Sequence, residues 1–146
     1  MACGPTLSSD DYCGSTETLI QGEKRRLSVN LYQPKDNSAL ENNCNPQRND
    51  LVIPATFVIT NEAVDIYISS DLVTPVISDT PSNTDIFDAA LNRIGVKLSY
   101  VIDTTNPAIS EVGSYVVVFS YDVDGAETFK SVCYFDVVAL GFPSNC

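Results

Sequence analysis

Ser114-Tyr115-Val116-Val117-Val118-Phe119-Ser120-Tyr121, then Asp122-Val123-Asp124-Gly125-Ala126, then Thr128-Phe129-Lys130-Ser131-Val132-Cys133-Tyr134-Phe135, reads as two β-rich runs around a tight turn. Valine, phenylalanine and tyrosine fit a pleated, half-buried surface. Asp-Gly between two such runs is the pair that adopts a two-residue hairpin turn. The same residues, with Glu127, begin like a calcium loop, because D-x-D-G offers hard carboxylate oxygens. The rest of a twelve-residue loop is missing and strand residues stand in its place, so the plain turn is expected.

Upstream of the hairpin the pattern repeats. Residues 26–33 alternate, with Leu27, Val29 and Leu31 on one face and Arg26, Ser28 and Asn30 on the other, as a half-buried strand does. Pro34-Lys35-Asp36-Asn37 ends it, and a polar, Asn-rich loop follows over residues 41–50. β-branched runs at 51–60, 64–69, 74–78 and 94–102, then 114–121 and 128–139, are separated by short turn signals. That makes about seven strands, too closely spaced for crossover helices. Residues 85–92 form the one possible helical turn, with Ile86, Phe87, Ala90 and Leu91 at helical spacing, too short to stand alone. The expected fold is an all-β, antiparallel immunoglobulin-like β-sandwich with an extended N-terminal arm. Residues 1–19, rich in Ser, Thr, Gly and Asp, are expected to form that arm and bind a neighbouring subunit, and residues 20–146 to form the domain.

Alternation places Val29, Leu31, Phe57, Ile59, Ile66, Ile68, Val96, Leu98, Val116, Val118, Val132 and Val137 in the core. Most aromatics, including Tyr100, Tyr115, Phe119, Phe129 and Phe135, also fall within strands and read as core. Tyr12, Tyr32 and Phe142 lie nearer segment ends and are candidates for contact with a partner, as are Asn43 and Arg48 in the polar loop.

Composition narrows the function. A net charge of −11, from 19 acidic against 8 basic residues, argues against nucleic acid or an anionic membrane as partner, since both demand clustered Lys and Arg. The short run Lys24-Arg25-Arg26 reads as a solvated strand entrance. The start, Met1-Ala2-Cys3-Gly4-Pro5, shows neither a charged nor an apolar targeting region, and the expectation is a soluble product made in the cytoplasm. Five cysteines, Cys3, Cys13, Cys44, Cys133 and Cys146, contain no C-x-x-C pair. Without His a zinc site would need four of them from distant loops, so no metal or other cofactor is expected. Reduced thiols and one or two disulfides both remain open.

Absence of His also excludes Ser-His and Cys-His nucleophilic catalysis within one chain. No Walker A loop or dinucleotide fingerprint is present. Acid pairs such as Asp65 with Asp71 could serve a glycosidase, yet surface carboxylates are abundant here by chance. No catalytic residues are therefore assigned.

Several features point in one direction together: Gln21-Gly22-Glu23 opening a strand, the runs at 55–59, 64–68 and 95–100, and Gly113-Ser114-Tyr115 followed by Asp124-Gly125 and a final apolar strand. This order resembles the Ig-like domains of tailed-phage virions, of head-decoration, neck, tail and upper-baseplate type, over residues 19–139. The long loop around Cys44 and the insertion at 80–88 depart from the compact pattern. The resemblance implies a structural virion protein, assembled in the host cytoplasm and held by copies of itself and by capsid, neck or tail proteins. A carbohydrate- or receptor-binding module is the alternative, with tyrosines as its platform.

Overall fold

The computed structural model describes residues 8–9, 16–33 and 51–139. Tyr12, Asn43, Arg48 and Phe142 lie outside them, as do four of the five cysteines.

Among the described residues the chain runs β1 (Ser8–Ser9), β2 (Glu17–Ile20), β3 (Lys24–Tyr32), β4 (Ile59–Ile68), β5 (Ile77–Asp79), β6 (Ser82–Phe87), β7 (Arg93–Asp103), β8 (Gly113–Val123) and β9 (Glu127–Val138). One sheet has the order β1-β3-β7-β6 and the other β2-β9-β8-β4-β5. Every pairing is antiparallel except β2 with β9, which run parallel from Glu17 beside Phe135 to Ile20 beside Val138. Two facing sheets in this order form an immunoglobulin-like sandwich. Tyr115, at the start of β8, donates from its hydroxyl to the Glu111 carbonyl at 2.8 Å. That is the tyrosine corner of such folds. Two residues on, where antibody domains place a bridging cysteine, Val117 is fully buried.

Odd-numbered side chains of β8 and β9 fill the space between the sheets: Tyr115, Val117, Phe119 and Tyr121 meet Cys133, Phe135 and Val137. Tyr115 stacks on Phe135 with ring centroids 5.0 Å apart. From the other sheet come Leu27, Val29, Leu31, Val96, Leu98 and Ile102. Burying each aliphatic side chain contributes about 1.5–3 kcal/mol.

Four expectations need correction. Val116 and Val118 are only half-buried, Val132 is exposed, and Ile68 is exposed at the end of β4. The inward phase of β8 belongs to its aromatics, because Tyr115, Phe119 and Tyr121 bury more apolar area than the valines between them. Residues 17–19 are not part of a detached arm, since β2 joins the five-stranded sheet and Leu19 is fully buried. Residues 85–92 are not a helical turn. Asp85 to Phe87 complete β6, an exposed edge strand beside β7, and the Asp88 carboxylate then accepts from the Ala90 and Asn92 amides to turn the chain. Residues 51–58 run without strand pairing beyond a bridge at Leu51, and β4 begins at Ile59.

The hairpin forms at Asp124-Gly125, but its connection has three residues, Asp124 to Ala126, because Val123 pairs with Glu127. Asp124 and Gly125 sit at φ of 54° and 69°, the left-handed pair of a type I′ turn. The Asp124 carboxylate accepts from the Val58 amide at 2.9 Å, and its own amide donates to the Val58 carbonyl.

Candidate docking surface

Side chains alternate across a strand, so the phase that buries Tyr115, Val117 and Phe119 turns Ser114, Val116, Val118, Ser120 and Asp122 outward. On β9 the same alternation exposes Lys130, Val132, Tyr134, Asp136 and Val138. Register then sets these residues side by side. Tyr67, Val116 and Tyr134 form one row across β4, β8 and β9, and Asp65, Val118 and Val132 the next. At the β2 edge Ile20 lies beside Val138. Ile20, Val112, Val132, Tyr134 and Val138 are each between 36% and 59% exposed. Exposed apolar residues scattered singly are ordinary, whereas rows of them on one sheet face mark an interaction surface.

Polar groups border these rows. Ser114 donates to Asp136 at 2.7 Å. Asp65 accepts from the Ser78 hydroxyl at 2.6 Å, and Asp122 from Thr128 at 2.6 Å and Asn61 at 2.8 Å. The bonds from Thr128 and then Asn61 hold the Asp122 carboxyl below the ordinary aspartate value. Lys130 is the one basic side chain on this face among the described residues. At the end of β4, Leu72 and Val73 project from the turn to β5, where the Asp71 carboxylate accepts from the Val73 amide at 3.1 Å.

The other sheet turns a different face outward. Lys24, Arg26 and Lys97 alternate with buried Leu27, Val96 and Leu98, and Lys24 pairs with Asp103 at 3.7 Å. Arg26 donates to the Ser99 hydroxyl at 3.1 Å. Tyr32 lies on this face beside Gly95, where a Cβ would meet the Leu31 carbonyl oxygen at 2.4 Å.

A cavity of about 350 Å³ opens between β6 and residues 56–59. Its polar groups are already engaged. The Arg93 guanidinium stands 4.8 Å over the Phe57 ring, pairs with Asp85 at 2.9 Å, and donates to the Ala55 carbonyl at 2.8 Å. The acid pair Asp65 and Asp71 is likewise spent on separate structural bonds. Among the described residues no group of three or more His, Cys, Asp and Glu side chains gathers as a metal site.

No family model and no curated protein matches the chain. Among solved structures it is similar to the crystal structure of the RIG-5 IG1 homodimer, at 10% identity and a TM-score of 0.39, over 92% of this chain and 99% of that one. The sandwich assignment rests on the strand order and pairing described above.

Of the partner-contact candidates read from sequence, Tyr32 alone lies among the described residues, and it is half-buried on the four-stranded sheet. The docking rows were missed because they depend on register between distant strands. One signal was available: Ser114, Ser120 and Asp122 share a phase, as do Thr128, Lys130 and Asp136, and each set marks the outward face.

Proposed function

We propose that this chain is a non-catalytic structural protein that works by assembly, docking other proteins on the outer face of its five-stranded sheet. The observation that carries this reading is the pair of apolar rows on the outward side of the sheet, in which Val132 and Tyr134 are exposed and Tyr67, Val116 and Val118 half-exposed beside them. Apolar centres with aromatic anchors and polar rims are the usual anatomy of protein interfaces. Joined to the resemblance to Ig-like domains of tailed-phage virions, it makes the chain a virion component that meets capsid, neck or tail proteins and its own copies.

The test is electron microscopy of gradient-purified particles carrying an epitope-tagged copy. Gold label at a fixed place on head, neck or tail supports the reading. Tagged protein confined to the particle-free fractions contradicts it.

A further inference from the structure

We infer that copies of this chain stack head to tail, the outer face of the five-stranded sheet of one against the outer face of the four-stranded sheet of the next. The inference rests on the docking face proposed above and names its occupant as a second copy.

Charge carries the argument. Among the described residues, the outer face of the five-stranded sheet presents Asp65, Asp122 and Asp136 against Lys130 alone. The outer face of the four-stranded sheet presents Lys24, Arg26 and Lys97 against Asp103 alone. Over the described residues, one face is therefore net acidic and the other net basic by the same amount. Because the two sheets lie back to back, these faces point in opposite directions, and each copy offers both halves of the contact.

The faces differ in relief. The acidic face raises half-exposed Tyr134, whereas on the basic face Ser99, Gly95 and Asn30 are buried and Arg26, Lys97 and Tyr32 stand around them. Sheets pack face to face at about 10 Å, so Arg26 and Lys97 of one copy reach the carboxylates of the next. Pairing the acidic face with itself would instead oppose carboxylates to carboxylates, at a cost. The net charge of −11 resists any self-association. At about 0.15 M salt, however, charges beyond roughly 8 Å are screened, so the apposed faces decide. A contact between different surfaces propagates into a ring or an open filament unless it is capped.

The experiment is sedimentation velocity at physiological salt over a wide concentration range, with folding of each variant checked by circular dichroism. Wild type should sediment faster as concentration rises. Tyr134→Asp blocks one face, and Arg26→Glu combined with Lys97→Glu blocks the other; each variant alone should associate at least about tenfold more weakly. Mixed in equal amounts they should form a heterodimer and nothing larger, because each keeps the face the other has lost. Val132→Glu replaces Tyr134→Asp if the latter does not fold. A mixture that stays monomeric, or a wild type monomeric throughout, overturns head-to-tail stacking. If Tyr134→Asp dissociates the protein while the charge reversals do not, the docking face stands and this pairing falls. If association is indifferent to Tyr134→Asp, the docking face falls with it.

Discussion

Val117→Asp places a carboxylate at a fully buried position between the sheets, whereas Val118→Asp places one on the outer face, beside Asp65 and Val132. An isolated charge in the core costs more than the domain's whole stability, so the first variant should not fold. The second should fold with a loss of about 1 kcal/mol from the like charge next to it. Urea denaturation of both separates the outcomes, and equal damage would contradict the phase of β8. That phase was only partly legible: five consecutive apolar residues, Tyr115 to Phe119, satisfy either face. Tyr100 gives a pH signature at the same scale. Burial, and then its 2.9 Å bond to Asp79, push its phenol from 10.0 up to about 12. A folded value above the unfolded one contributes stability that is complete below pH 10 and is lost as pH rises through about 12. Tyr115 and Tyr121 are raised too, chiefly by burial. Tyr100→Phe should therefore flatten the loss of stability between pH 10 and 12, measured by melting temperature. At the acid end Glu23, Asp79, Asp103 and Asp122 are held below their ordinary values, chiefly by hydrogen bonds. Their contribution is present above the unfolded values of 3.8 for Asp and 4.5 for Glu and disappears as pH falls.

The hairpin and the central strands could be read from sequence because turn chemistry and alternation are local. β2 could not, since four residues with one core side chain, Leu19, become a strand only by lying parallel to β9. Leu19→Ala should cost about 2–5 kcal/mol, and chemical denaturation would show it. A change near zero would return this segment to the role of a detached arm. β6 was obscured by its polarity, because an edge strand of the sequence Ser-Asn-Thr-Asp-Ile-Phe carries no apolar stripe. Cys133 on β9 is fully buried and disulfide-bonded, and the remaining cysteines lie outside the described residues. Reduction should lower stability by about 2–5 kcal/mol. A non-reducing peptide map should find the Cys133 peptide cross-linked, and a free thiol there would contradict the assignment. Disulfides persist in oxidising surroundings.

At the scale of the whole molecule, a sequence with a net charge of −11 folds so that, among the described residues, the outer faces of its two sheets are opposite in sign. Composition alone shows only the excess of acid; the separation appears once β3 and β7 share one sheet and β4, β8 and β9 the other. The same division gathers Tyr67, Val116 and Tyr134 from three distant stretches into one row. Hydroxyl-radical footprinting of the tagged protein, free and in its purified assembly, tests that surface most directly. Tyr134 and Val132 should lose reactivity several-fold on assembly, while buried Tyr115 stays protected in both states. Unchanged labelling of Tyr134 and Val132, with protection elsewhere, would contradict docking through this face.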